Sequence, residues 1–201
     1  MSTEPVYPEA FEPNEFWEEH RNKLIGYAAL FLVAVAGYGI YAFTSSRKEA
    51  SANKAYAEAV SVADYKAVRH DYPGTPVASN AALELGDKLR QEKNYVESAA
   101  VLKDFIAKAP EHPLVCAAWT SLGATYETEG KPEEALKAYQ EASTKFPDSY
   151  VAPIALNAQA RILAAQGKVE EARRIYQDSA ARFPNTAFGR DAARELRFLR
   201  K

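Results

Sequence analysis

Small and large apolar residues recur at helical spacing along residues 116–149, in two runs joined by a Gly-Lys-Pro turn. The positions that define this pattern are Trp119, Leu122, Gly123, Tyr126, Ala135, Tyr139, Ala142 and Pro147. Gly123 and Ala135 are small, so two helices can approach closely there, while the aromatic side chains fill the space around that contact. Pro147 ends the second run because it lacks an N–H group and restricts the residue before it. The stretch therefore predicts two short helices, here called helix A and helix B.

The same pattern recurs with a period of 37 residues. Prolines follow this interval, and a large side chain stands eight positions before each of them: the pairs are Tyr65 and Pro73, Leu102 and Pro110, Tyr139 and Pro147, and Tyr176 and Pro184. A single helix pair cannot bury its apolar face alone, so the repetition predicts a stack of pairs. Because no segment shows the alternation typical of a strand, we expect an all-α fold with a solenoid architecture.

The spacing within each unit matches the signature of a tetratricopeptide repeat, and the chain resembles that family. Three repeats are predicted at residues 79–115, 116–152 and 153–186, with a half-repeat or N-terminal cap at 46–78 and a C-terminal cap helix at 187–201. Gln159 stands where the third repeat should be apolar, so its side chain is expected to face either solvent or a neighbouring segment. In the cap helix, Phe188 is expected to share one apolar stripe with Ala192, and the arginines to lie largely off it.

Ahead of the repeats, residues 24–43 form an uncharged run of twenty residues. As a helix this run is about 30 Å long, the thickness of a bilayer core, and aromatic and basic residues flank it. We therefore expect a juxtamembrane and transmembrane helix at residues 14–45, after a disordered tail at 1–13 that is rich in proline and glutamate. A buried core helix or a cleaved signal peptide is less favoured, because a thin solenoid has no room for the first and the second has a shorter apolar region. The flanking charges are nearly balanced and do not decide the orientation.

Catalytic chemistry has little support in the sequence. The three histidines are far apart, Cys116 is the sole cysteine, and no HExxH, CxxC, phosphate-loop or nucleophile-elbow motif occurs. We therefore predict a protein that is not an enzyme and needs no metal or cofactor.

Cys116 is expected to be a small, semi-buried residue, with an intermolecular disulfide less favoured. The C-terminal cap is basic, but from Thr44 onward 23 basic residues face 21 acidic ones, which favours a solvated surface and no nucleic-acid binding.

Binding of protein segments is the function that remains. Positions 2, 5, 9 and 12 of helix A line the concave groove of a tetratricopeptide solenoid. In the three repeats these positions hold Asn80, Leu83, Asp87 and Arg90; Ala117, Thr120, Ala124 and Glu127; and Ile154, Asn157, Arg161 and Ala164. The middle of this groove is small and nearly uncharged, which suits an extended or helical segment better than a strongly acidic one. We expect partners to bind there rather than at the basic cap.

The order of a short tail, a collar of aromatic and basic residues (Phe16, Trp17, Arg21 and Lys23), a single span and an immediate solenoid resembles the bacterial ancillary SecYEG translocon subunit family. The resemblance is carried by FWEEHRNKLIGYAALFLVAVAGYGIYAF and by the repeats from Tyr65 onward. It implies an inner-membrane protein with a cytoplasmic N-terminus and a periplasmic solenoid, which associates with the translocon and with periplasmic chaperones. The turns YPGTPVA and FPDSYVA also look like repeats of periplasmic outer-membrane assembly proteins. An assembly factor for cytochromes, pili or other envelope complexes, or an organelle import receptor, therefore remains an alternative.

Overall fold

The computed structural model describes residues 13–199, which fold into nine helices and contain no strand. The helices are α1 Pro13–Glu58, α2 Val62–Asp71, α3 Pro76–Gln91, α4 Tyr95–Lys108, α5 Val115–Glu129, α6 Pro132–Lys145, α7 Ala152–Ala165, α8 Val169–Arg182 and α9 Ala187–Phe198. The all-α fold predicted from the repeat pattern is confirmed. Of the predicted disordered tail, Pro13 is instead the first residue of α1, and residues 1–12 lie outside the described residues.

The chain divides into two compact units, one ending at Lys48 and one starting at Glu49. The first unit holds most of α1, including the apolar run at residues 24–43. From His20 to Glu58, α1 has the length and composition needed to cross a membrane, and none of its most apolar stretch is buried. Exposed aromatic and aliphatic side chains cover this stretch, and the guanidinium of Arg47 lies 4.6 Å from the ring centre of Phe43. Among residues 13–199, it is the one helix with these properties.

In the second unit, α3 pairs with α4, α5 with α6, and α7 with α8, and each helix B also packs on the helix A that follows. The turns inside these pairs share one backbone feature, a left-handed residue at the same position of the period. Gly130 (φ 85°) and Gly167 (φ 79°) occupy it in the last two pairs, where glycine adopts this conformation without steric cost. Lys93 (φ 63°) occupies it in the first pair. The backbone N–H of Lys93 donates to the carbonyl oxygen of Arg90 at 3.0 Å and that of Asn94 to the carbonyl oxygen of Leu89 at 2.8 Å, so the end of α3 is closed around a lysine whose conformation costs roughly 1–2 kcal/mol in an L-residue.

Close approach of helix A to helix B explains a second feature that recurs between the repeats, the small residue of helix A that faces a large residue of helix B. A Cβ atom added to Gly123 would lie 2.7 Å from the ring of Tyr139, and one added to Gly86 would lie 2.9 Å from the side chain of Leu102. Leu102 is fully buried in a cluster that α3, α4, α5 and α6 share. The small residue of helix A therefore receives the large residue of helix B in both pairs, as the sequence pattern predicts.

Gln159 departs from the apolar pattern of the third repeat, and the structure shows why it is tolerated. Its side chain is buried, and its Nε2 donates hydrogen bonds to the carbonyl oxygen of Tyr139 at 3.1 Å and to Ser143 Oγ at 2.8 Å. Of the two predicted environments, the neighbouring segment is the correct one. A buried amide without hydrogen-bond partners would be costly, and these two bonds satisfy it. They also join α6 to α7, where an apolar contact joins the earlier helices.

The two ends of the repeat array are packed differently from its middle. At the start, Ala52 and Tyr56 from the last turns of α1 join Tyr65 and Val68 of α2 in one apolar cluster. At the end, α9 buries Ala192 against α7 and α8. Phe188, predicted to share the inward stripe with Ala192, is instead exposed beside α7. Helix α9 thus takes the place of a further helix A and extends the row of A helices.

Candidate functional site

The twelve predicted groove residues lie on α3, α5 and α7, and all of them are exposed or partly exposed. This placement follows from the repeat, since each helix A turns its buried stripe toward helix B and leaves the opposite face open. At the centre of the row, Ala117, Thr120 and Ala124 form a surface of small side chains on α5. The hydroxyl of Thr120 donates to the carbonyl oxygen of Cys116 at 2.8 Å, within its own helix. The middle of the groove is therefore lined by small side chains that carry no charge.

An ion pair crosses the groove between α5 and α7. Arg161 binds Glu127 through both terminal nitrogens, with Nη2 at 2.8 Å from Oε2, and the hydroxyl of Tyr139 donates to the same carboxylate at 3.1 Å. Such a two-point geometry is the most favourable form of this pair. The predicted positions 12 of the second repeat and 9 of the third are thus brought into direct contact.

Burial and the ion pair together set the pKa values of Glu127 and Tyr139. Burial alone raises the pKa of Glu127, but the hydrogen bonds and charge of Arg161 and the bond from Tyr139 outweigh it, so the pKa of Glu127 falls below its usual value. Burial, followed by the charge of Glu127, raises the pKa of the Tyr139 hydroxyl well above its usual value. The carboxylate is therefore ionised and the phenol neutral at neutral pH, and the hydrogen bond between them has a defined donor.

Other predicted groove residues are engaged within the fold. Asn157 donates to the carbonyl oxygen of Phe188 at 2.9 Å and accepts from Ser179 at 2.7 Å, so it joins α7, α8 and α9. Arg90 binds Asp87 one turn away on α3, at 3.2 Å. Asn157 thus has a structural role, and its side chain is also partly exposed.

Sequence reasoning missed the part of the groove that α9 supplies. The inner face of α9 carries Phe188, Asp191 and Glu195, which line a cavity of about 420 Å³ together with Tyr139, Ile154, Asn157, Ala158, Arg161 and Tyr176. The repeat period contained the signal, because Asp191 follows Ile154 by 37 residues. Treating residues 187–201 as a separate basic cap concealed it: the arginines are there, but the groove-facing side of the helix is acidic and aromatic.

Cys116 and His112 both make contacts within the fold. Cys116 is buried, its thiol lies 3.7 Å from the carbonyl oxygen of Ala142, and burial raises its pKa. A buried thiol is poorly placed for an intermolecular disulfide. The Nδ1 atom of His112 accepts a hydrogen bond from the backbone N–H of Leu114. Across the described part of the chain, no group of three or more His, Cys, Asp or Glu side chains is arranged to hold a metal ion.

Stacked helix pairs with an open concave face define a class of protein-binding scaffolds, the α-solenoids. A family model described as a tetratricopeptide repeat-like domain matches residues 14–196. The chain belongs to the tetratricopeptide repeat-like domain family. This fold is typical of scaffolds that bind other proteins, and the match identifies no catalytic family.

The solved structures that share the fold include the following two. Both are of nearly identical TPR-like repeats of a candidate kinesin light chain from Podospora anserina, one of them a point variant. Each is 17% identical in sequence, covers 77% of this chain and 84% of its own, and superposes with a TM-score of 0.56. At this identity the likeness concerns the fold alone. A search of curated proteins found no match.

Proposed function

We propose that this protein is a membrane-tethered adaptor that binds segments of partner proteins in the concave groove of its solenoid. The observation that carries the proposal is the open row of A helices, with small residues at its centre and an ion pair crossing it. Such a surface accommodates an extended or helical segment, whose backbone or apolar side chains need close approach. The repeat family supports the same function, since its members are typically interaction scaffolds.

The partners that we propose are subunits of the protein-export translocon and periplasmic chaperones that act on emerging proteins. The support is the resemblance of the anchor and repeats to ancillary translocon subunits, together with an apolar helix long enough to hold the solenoid at the membrane. Holding two partners beside one another raises their effective concentration, and this requires no reaction by the adaptor itself.

The first prediction tests the groove. In full-length, tagged protein, Thr120→Arg combined with Ala124→Arg should reduce the partners recovered by crosslinking from native membranes by about tenfold or more. The arginines fill the centre of the groove and force a bound segment to cover two charges that lack partners. A matched control is Gln140→Arg with Thr144→Arg, which adds the same charges one turn apart on the exposed side of α6.

Mass spectrometry of the crosslinked material then separates the possibilities. Loss of translocon subunits and chaperones in the groove variant, with the control unchanged, supports the proposal. Equal recovery from both variants, each folded by circular dichroism, contradicts binding through the groove. Recovery of cytochrome, pilus or outer-membrane assembly components in place of translocon subunits contradicts the proposed partners.

The second prediction concerns the membrane. We propose that α1 crosses the inner membrane with the N-terminus in the cytoplasm and residues from Thr44 onward in the periplasm. Protease added to intact spheroplasts should then remove the solenoid, because the outer barrier is gone and the solenoid is exposed. A cytoplasmic protein of known location serves as the protection control. If the solenoid is fully protected while a tag fused to the N-terminus of the protein is cleaved, the orientation is the opposite of the one proposed.

A further inference from the structure

The cavity at the end of the groove, here called the C-terminal pocket, has aromatic and acidic walls. It lies between α7 and α9 and is lined by three aromatic rings, those of Tyr139, Tyr176 and Phe188, and by two carboxylates, those of Asp191 and Glu195. The two acids stand one turn apart on α9, so they face the pocket from the same side. Its volume of about 420 Å³ falls in the range of pockets that hold a ligand group.

The pocket is held open by contacts that do not depend on a ligand. Asn157 joins the backbone of α9 at Phe188 to Ser179 on α8. Gly189 packs so closely on the preceding turn that an added Cβ would lie 2.0 Å from the carbonyl oxygen of Phe183. Ala192 of α9 is fully buried against residues of α7 and α8. Because these contacts set the position of α9, the acids and rings are already in place before a partner binds.

The charges of the pocket favour a cation. Arg161 is neutralised by its two bonds to Glu127. Arg194 lies 2.9 Å from Asp191 and 3.8 Å from Glu195, but 56% of its side chain is exposed. An exposed pair of this kind contributes little stability and can be displaced. The carboxylates of Glu127, Asp191 and Glu195 carry three negative charges, and the guanidinium groups of Arg161 and Arg194 carry two positive charges. One negative charge therefore remains for a ligand to match.

The aromatic rings add a second reason. Ring faces attract cations, and they also pack against the methylene stem of a long basic side chain. Glu195 lies close enough to Tyr176 to contribute to the raised pKa of its hydroxyl, after burial, so a carboxylate and a ring act on the same part of the pocket. An acidic side chain would be repelled by Asp191 and Glu195, and a purely apolar one would cover both carboxylates without adding a cation to match their excess negative charge.

We propose that the C-terminal pocket binds one lysine or arginine side chain of the partner segment in the groove, with its stem on the rings and its cation at Asp191 and Glu195. The proposal rests on the proposed function, because the segment that supplies the side chain lies along the concave face. It adds a chemical preference to that function: the partner segment carries a basic residue near the end that lies over α9.

The probe is a set of four fluorescent nonapeptide mixtures, titrated against full-length protein in lipid nanodiscs. Each has alanine, leucine and serine randomised around a central arginine, citrulline, leucine or glutamate. Citrulline matches arginine in shape but has no charge. We expect the arginine mixture to bind about tenfold or more tighter than the citrulline mixture, and the preference to shrink when salt rises from about 0.1 M to about 0.5 M.

Matched variants assign the preference to the pocket. Asp191→Asn combined with Glu195→Gln should abolish it, because these changes keep the shape and remove the charge. Glu171→Gln with Asp178→Asn removes the same charge from α8 outside the pocket and should leave the preference intact. Retained preference in the first variant, or equal loss in both, overturns the proposal.

The same experiment shows whether the pocket binds something other than a basic side chain. Tightest binding of the leucine or glutamate mixture, no difference between arginine and citrulline, or no saturable binding of any mixture overturns the proposal. Self-association of the protein would also overturn the proposal if Asp191→Asn combined with Glu195→Gln disrupts it, because the pocket would then bind a second copy of this chain. If Thr120→Arg with Ala124→Arg still removes native partners while no mixture shows a charge preference, the adaptor function stands and the pocket assignment is wrong.

Discussion

Replacing Leu102 by alanine is expected to lower the free energy of unfolding by about 2–5 kcal/mol, the usual range for a fully buried leucine. Leu102 is 0% exposed and fills the space above Gly86, where the close contact between α3 and α4 leaves little freedom for the neighbours to collapse into a cavity. The effect should be large because each repeat is stabilised mainly by its neighbours. A weakened contact between α3 and α4 therefore also removes support from the helices before and after it.

Urea denaturation of the full-length protein in detergent micelles, followed by circular dichroism, measures this change. Val96→Ala on the same helix is the control: its side chain is 77% exposed, so the expected change is within about 0.5 kcal/mol. A loss in Leu102→Ala no larger than in the control would mean that α4 does not pack on α3 as described.

Replacing Gly123 by leucine is expected to cost about 1–3 kcal/mol through overpacking. Even a Cβ atom would lie 2.7 Å from the ring of Tyr139, and that ring cannot easily withdraw. Its hydroxyl donates to Glu127, which Arg161 holds from the next repeat. The substitution should therefore disturb both the packing of the central pair and the ion pair in the groove.

Thermal melts of the full-length protein test this prediction, with Thr128→Leu at an exposed position of the same helix as control. A double-mutant cycle sharpens it, since Gly123→Ala should cost much less in a Tyr139→Ala background than in the natural sequence. An equal cost in both backgrounds would show that the contact with Tyr139 is not the cause.

The two stability predictions bear on function, because the residues that pack the repeats also shape the groove. Tyr139 contacts Gly123 on one side, binds Glu127 through its hydroxyl and lines the C-terminal pocket with its ring. A partner that binds over α7 and α9 therefore contacts a side chain already fixed by the core. Such preorganisation lowers the cost of ordering the site on binding.

The sequence by itself determined the helices, their order and the repeat. Turn residues such as Gly130, the prolines at 37-residue intervals and the small residue facing the large one act locally or between adjacent helices. The face of each helix A that lines the groove follows from the same periodicity, and the predicted residues on α3, α5 and α7 are all on accessible surface. Local sequence also identified the long apolar helix, since length and composition are properties of one segment.

The tertiary structure alone decided which of these surface residues meet. Glu127 and Arg161 are 34 residues apart in sequence, and their contact depends on the rotation of α5 relative to α7. The same holds for buried Gln159 and for Asn157 between three helices. The pocket formed with Asp191 exists because α9 packs as a further helix A. Each of these features requires atoms from separate helices at fixed distances, and the packing of the whole stack, rather than any local propensity, sets those distances.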